Sequence, residues 1–254
     1  MKIKYALFII SLAITSHAFC GDKNAKNDKK EFKRVYIGVS FTPEATYRYL
    51  HSNYTPTGTN NPQDPVEYGN KHSTPAFGLN AAVKVGINLT HWLAIESGVG
   101  YSLSRYQYKA DRYYTSNLLS GVLVNQADSF QTADRETYQF LAVPVGLRFS
   151  MGHRKVRGII AAGVDLDFLI QQNSRYTYTY ADGSEVQDRK VQTSNFNTFN
   201  VSPYLGVGID CYLSQVVVLR IMPQAQIQGL KNINAPITEY LWNAGINFSL
   251  LFGL

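Results

Sequence analysis

ITEYLWNAGINFSLLFGL, residues 237–254, divides at a period of two. Tyr240, Trp242, Ala244, Ile246, Phe248, Leu250 and Phe252 fall on one side of an extended chain, and Asn243, Gly245, Asn247 and Ser249 on the other. Successive side chains of a strand point to opposite faces, whereas a helix would mix these two sets around its circumference. The stretch reads as one long strand with an apolar face and a polar face.

The same alternation recurs upstream. Val35, Ile37, Val39 and Phe41 alternate with Tyr36, Gly38, Ser40 and Thr42 in a first strand. Phe77 to Leu89 gives a second strand and Leu93 to Ser104 a third, joined by a tight turn near Thr90-His91. Thr137 to Phe149 and Val156 onward make a fourth and fifth, joined through Gly152-His153-Arg154; Val201 to Leu213, Val217 to Gln228 and the final stretch complete the set, with Ser214-Gln215 as a further tight turn. The fifth strand continues through Tyr176, Tyr178 and Tyr180 into Asp182-Gly183, a hairpin signal that predicts an arm standing above the other strands. Residues 52–74 and 109–136 read as long loops. Pro144, Pro203 and Pro223 fall inside strands, where each removes a ladder donor, so bulges are expected there. Short turns alternate with long loops between about eight strands, which predicts an all-β, eight-stranded antiparallel up-and-down transmembrane β-barrel over residues 35–254 with both termini periplasmic.

The N-terminus has Lys2 and Lys4, an apolar run from Tyr5 to Ile14 and a small-residue end at Ser16-His17-Ala18, the pattern of a signal peptide over residues 1–20 cleaved after Ala18 or Cys20. Phe19 and His17 do not suit lipidation of Cys20. Nowhere does the chain offer the roughly 18 consecutive apolar residues of a spanning helix, so strands must carry any membrane role. The formal charge of +6 resides mainly in this leader and in residues 21–34, a flexible basic periplasmic tail of six basic and three acidic residues. With the basicity confined there, no nucleic-acid partner is implied. Cys20 and Cys211 give no disulfide framework.

Asn243-x-Gly245-x-x-Phe248-x-Leu250 resembles the C-terminal insertion signal of outer-membrane β-barrels. The run from Tyr138 through Pro144 to Arg148-Phe149 resembles a strand of one large family of bacterial outer-membrane β-barrel domain proteins. This resemblance spans residues 35–254. It implies the outer membrane of a Gram-negative bacterium, contact with its lipids and lipopolysaccharide, and engagement of the barrel-assembly machinery through Asn243–Leu254. Some members of the family assist envelope assembly or secretion.

Every mid-strand charge falls on the polar parity: Lys84, Glu96, Arg148, Asp165, Asp167, Asp210 and Arg220. In a membrane barrel that parity is the lumen. Folding about the tight turns brings Lys84 diagonally beside Glu96 and Asp210 beside Arg220. Side chains fill the interior of an eight-stranded barrel, so a structural plug is preferred over a gated ion path. Asp165 and Asp167 are read as structural rather than as an acid–base pair. His51 and His72-Ser73 are weighed as parts of a barrel-embedded lipid hydrolase, but no acid at useful spacing orients either histidine; His91 and His153 suit turns. No metal-ligand spacing, phosphate loop or nucleophile elbow is present, so no cofactor is expected. Trp92, Tyr101, Tyr138, Tyr240 and Trp242 fall near strand ends as an aromatic girdle. Tyr106, Tyr108, Arg112, Tyr113, Tyr114, Arg175, Tyr176, Tyr178 and Tyr180, with Arg105, form a candidate extracellular rim for lipopolysaccharide or a protein partner. The expected function is non-enzymatic: structural, surface-interaction or assembly accessory. The alternatives are a narrow pore, the lipid hydrolase and a soluble lipocalin-like barrel with its apolar face inward.

Overall fold

The structure, a computed structural model, describes residues 34–52, 65–112, 130–152, 155–180, 183–192, 196–232 and 237–254. The expected signal peptide, the tail as far as residue 33 and His153 lie outside the described residues. The elements are β1 (Val35–Ser52), α1 (Pro65–His72), β2 (Ser73–Asn88), β3 (Leu93–Arg112), β4 (Phe130–Met151), β5 (Val156–Tyr180), β6 (Glu185–Gln192), β7 (Phe199–Tyr212), β8 (Val217–Ile227) and β9 (Ile237–Gly253).

Every strand pair is antiparallel, and the pairing runs β1-β2-β3-β4-β5-β7-β8-β9 and back to β1. Eight strands thus close a ring without an edge, as the alternation predicts. Val35 and Gly253 mark the termini end of this ring. At that end Leu89 N–H and Thr90 N–H donate to the Leu93 carbonyl, and Leu213 N–H and Ser214 N–H to the Val217 carbonyl, closing the two tight turns. The hydroxyls of Thr90 and Ser214 accept from backbone N–H groups of the same turns.

Outside and inside are reversed relative to a water-soluble protein. Val39, Phe41, Val83, Val99, Leu205 and Val207 point outward and are about half exposed, while Thr42, Ser102, Ser202, Asn247 and Ser249 are buried within the ring. A contiguous apolar band of this size needs a non-aqueous surrounding. A lipocalin-like barrel would have the opposite arrangement. Trp92 and Phe149 stack outward near the termini end, with ring centroids 5.9 Å apart, and Tyr49 and Trp242 are exposed toward the far end. Tyr138, expected in that girdle, is instead buried in the lumen.

Beyond the band the strands are longer than the alternation of apolar residues suggests. β3 and β4 remain paired up to Arg112 opposite Phe130, and β4 and β5 up to Phe130 opposite Tyr180. Residues 109–112 and 130–136, the two ends of the expected loop 109–136, are therefore strand, and residues 113–129 lie outside the described residues. Polar residues occupy both faces there, so the apolar signal of period two disappears while the ladder continues. The expected hairpin is present: Gly183 (φ +82°) occupies the left-handed conformation its turn needs, and β6 returns along β5 from Thr179 opposite Glu185 to Gln172 opposite Gln192. β3, β4, β5 and β6 together form a wall that outreaches β7, β8 and β9.

Two further expectations change. Within residues 52–74, α1 replaces part of the loop. It begins at Pro65, carries Glu67 in its first turn and Lys71 and His72 in its last, and so suits the helix dipole. Asn70 anchors it to β1, accepting from Leu50 N–H (2.8 Å) and donating to the Leu50 carbonyl (3.0 Å). The prolines also differ from expectation. Register passes Pro144, Pro203 and Pro223 without a slip; the ladder merely skips two residues at Pro144 (Ser97 opposite Val145, then Gly100 opposite Ala142) and beside Pro223. The register shifts lie between Pro75 and Leu79 in β2, and between Gln139 and Phe140, which pair with Gln171 and Leu169 of β5. One extra residue in β2 and in β5 exchanges inward and outward parity above each bulge.

Candidate functional site in the lumen

The inward parity carries three polar layers. Nearest the termini, Glu96 (β3), Arg148 (β4), Asp210 (β7) and Arg220 (β8) form a closed ring of two acids and two bases. Arg148 donates from Nε to Glu96 (3.0 Å) and from Nη1 to Asp210 (3.1 Å). Arg220 donates from Nε to Asp210 (2.8 Å) and from Nη1 to both Glu96 oxygens (2.9 Å each). Arg220 is 0 % exposed and Asp210 1 %. Tyr36 of β1 donates to Glu96 (2.5 Å), and Asn88 accepts from Arg148 (2.7 Å). A Cβ on Gly86 would overlap the Tyr36 ring, so glycine makes room for this tyrosine. Asp210 and Arg220 are direct cross-strand partners, as the turn geometry predicts. Lys84 is diagonal to Glu96, opposite Gly98, but the Glu96 carboxylate is bonded by the two arginines and Tyr36; Lys84 instead acts electrostatically on both Glu96 and Asp165. Contacts across the lumen, rather than along one hairpin, complete the ring.

Above it, Glu44, Asp165 and Asp167 are 6 %, 5 % and 2 % exposed. Ser202 donates to one oxygen of Asp167 (2.5 Å), while Glu44 Oε1 and Asp167 Oδ1 have no hydrogen-bond partner among the described residues. Both aspartates act electrostatically on Glu44. Three carboxylates thus share a buried layer with one lysine, an arrangement that opposes folding. Glu44→Gln is expected to stabilise the barrel by about 1 kcal/mol. Urea unfolding in lipid vesicles measures this, and an equal or lower midpoint would mean that these carboxylates do not repel.

At the far end a third layer bridges the lumen. Glu239 of β9 accepts from Tyr106 (2.8 Å) and Tyr138 (2.7 Å). The Arg48 guanidinium is 3.8 Å from the same carboxylate and covers the rings of Tyr106 and Tyr108 at 4.7 and 5.3 Å. Tyr106, Tyr138, Phe140 and Leu241 pack as one buried cluster, with Leu169 and Phe196 against it. Glu44, Arg48 and Glu239 are absent from the expected lumen set, although simple continuation of the period of two in β1 and β9 places them there.

The expected rim is divided by the same parity. Tyr106 and Tyr108 are 2 % and 6 % exposed and belong to the far-end layer, not to an outer rim. Above the β5 bulge, Gln172 and Ser174 donate inward to Glu136, and Tyr176, Tyr178 and Tyr180 share that inner face, half-buried. Arg175 points outward and is exposed. Arg112 ends β3 opposite Phe130. Tyr113 and Tyr114 lie outside the described residues. His51 is exposed, while the Ser73 hydroxyl donates to the Gly69 carbonyl (2.7 Å) and accepts from Arg48 Nε and Nη2 (3.1 and 2.8 Å). Among the described residues no group of three His, Cys, Asp or Glu side chains is placed to hold a metal ion.

Residues 33–233 match the outer membrane protein beta-barrel domain. The chain belongs to that family. Its members are proteins of the Gram-negative outer membrane, so the outward apolar band is the lipid-facing surface. Among solved structures, Neisserial surface protein A aligns with 87 % of this chain and 97 % of its own at 10 % identity and a TM-score of 0.40. OprG from Pseudomonas aeruginosa aligns with 89 % and 100 % at 11 % identity and a TM-score of 0.39. The outer membrane protease OmpT from Escherichia coli aligns with 91 % and 99 % at 7 % identity and a TM-score of 0.39. No curated protein sequence matches the chain.

Proposed function

We propose that this outer-membrane barrel works through its outer surface, as a structural or surface-interaction protein or as an accessory to envelope assembly or secretion, and that it neither conducts solutes nor catalyses a reaction. The observation that carries this reading is the lumen, bridged by the Glu96–Arg148–Asp210–Arg220 ring at one level and by Glu239 with Arg48, Tyr106 and Tyr138 at another. An eight-stranded interior is narrow enough for side chains to fill it. The tight turns 89–92 and 213–216 and both chain ends then face the periplasm, where Asn243–Leu254 engages the assembly machinery, and the β3–β6 wall stands outside the cell, in contact with lipopolysaccharide or a protein partner. The lipid-hydrolase alternative finds little support at Ser73, whose proton is committed to a backbone carbonyl.

Planar-bilayer recording of the purified full-length chain tests the reading. No resolved conductance steps are expected. Regular steps of one size would replace a closed barrel with a narrow pore.

A further inference from the structure

The outer face of the β3–β6 wall carries a row of arginines that the lumen does not explain. Arg135 of β4 is opposite Arg175 of β5, and Arg175 is opposite Arg189 of β6; all three are exposed. Gln107 of β3 continues the row opposite Arg135. Arg105 shares the outward parity two residues below Gln107, and exposed Lys109 two residues above it. Among the described wall residues, the acids Asp134, Glu136 and Asp188 have the opposite parity, and Glu185, four residues from Arg189, shares the outward one. Neighbouring strands are about 4.8 Å apart, and like charges directly opposite one another destabilise a sheet. Arg135 donates from Nε and Nη2 to the Gln107 amide oxygen, but three guanidinium groups in register still repel one another. They form a fork-shaped donor row suited to phosphate oxygens.

Height selects among phosphates. The outward apolar band on β3, β4 and β5 ends at Leu103, Leu141 and Ile170, while Val191 of β6 stands apart above it, exposed and two residues from Arg189. Arg105 follows Leu103 directly, whereas Arg135 is six residues beyond Leu141. At about 3.4 Å per residue and a tilt of 35–45°, the row stands about 10 Å above Leu103, which is opposite Gln139, and about 15 Å above Leu141. The headgroup zone of an ordinary bilayer leaflet is only about 5–8 Å deep. A glycerophospholipid phosphate meets Arg105 but falls short of the row. A saccharide headgroup carrying phosphates at successive heights reaches both.

We propose that Arg135, Arg175 and Arg189, with Arg105 below them, bind the phosphates of lipopolysaccharide packed against the β3–β6 wall. This site rests on the reading above that the wall projects from the outer leaflet, and an epitope inserted after Gly183 tests that orientation separately, by antibody binding to intact cells. The full-length chain, folded in phosphatidylcholine vesicles, is titrated with purified lipopolysaccharide and its unfolding followed by heat modifiability. Lipopolysaccharide is expected to raise the unfolding temperature by about 5 °C. The triple variant Arg135→Gln, Arg175→Gln, Arg189→Gln is expected to need at least about tenfold more lipid for the same shift. Without lipopolysaccharide that variant should unfold no earlier than the wild type, since it loses like-charge repulsion; a lower temperature would assign the arginines a structural role and overturn the proposal. The all-lysine variant retains charge but not the fork and should fall between the two. An undiminished shift in the triple variant, or an equal shift with lipopolysaccharide stripped of its phosphates, overturns the proposal. An equal shift with a soluble sulfated saccharide replaces the lipid with a free polyanion. If the epitope is hidden in intact cells, the orientation fails; if it is accessible and the triple variant binds normally, the site fails.

Discussion

Arg220→Met is expected to lose about 3–5 kcal/mol of unfolding free energy, because it leaves a buried carboxylate without its base. Arg220 is fully buried and bonds both oxygens of Glu96 and both of Asp210. In its absence two acids share Arg148. The double variant Arg220→Met, Asp210→Leu removes one acid and one base and leaves Glu96 bonded to Arg148 at 3.0 Å. It should recover more than half of the loss, since replacing a buried ion pair with apolar groups of similar volume is often close to neutral. Urea titration in lipid vesicles gives both values, and the departure from additivity measures the coupling directly. A single variant within about 1 kcal/mol of the wild type would mean that the ring is not formed. A double variant no better than the single would mean that Asp210 depends on Arg148 rather than on Arg220.

The ring also marks the limit of what the sequence makes legible. Asp210 and Arg220 are neighbours across one tight turn, and counting back from Ser214-Gln215 places them together. Glu96 meets Arg220 across the lumen, from strands far apart in the ring, and no periodicity encodes which inward side chains converge there. The Lys84–Glu96 pairing expected from the Thr90-His91 turn has the right register; Arg148 and Arg220, reaching from other strands, take the carboxylate instead.

Parity is the strongest signal in the sequence, and the bulges are where it reverses. Outward Phe168 and Ile170 extrapolate to outward Tyr176, Tyr178 and Tyr180, but the extra residue beside Gln171 turns all three inward. The adjacent apolar pair Leu169-Ile170 is the trace of that bulge in the sequence. The prolines do not mark it: a closed ring tolerates Pro144 by skipping two ladder positions, without the insertion that a bulge requires. Tyr106 and Tyr138 differ from expectation for another reason. Tyrosine suits both a headgroup girdle and a hydrogen-bonded lumen, and only the parity of Tyr106 and Tyr138 with the buried Ser104 and Phe140 distinguishes the two. Glu239, two residues before Leu241 on the polar side of the final strand, has the same inward parity.

Phe248→Arg is expected to cost about 2–4 kcal/mol in a bilayer, because it places a guanidinium on the lipid face near mid-depth. Phe248 is outward and about 40 % exposed, midway between Trp242 and Leu254, with Phe41 and Ile221 as its cross-strand partners. That row continues round the barrel through Ala81, Tyr101 and Leu141 on one side and Ile209 on the other. Leu213 is 64 % exposed in the turn that joins β7 to β8, beyond the apolar band. Leu213→Arg should cost only about 0–1 kcal/mol. In water both positions would be ordinary surface, where a substitution typically changes stability by no more than about 0.5 kcal/mol. The difference between the two variants, measured by urea unfolding in phosphatidylcholine vesicles, therefore reports the depth of the hydrocarbon rather than the exposure of the side chain. Equal costs at Phe248 and Leu213 would remove the lipid from around the band, and with it the height scale that separates the arginine row from the phospholipid headgroups.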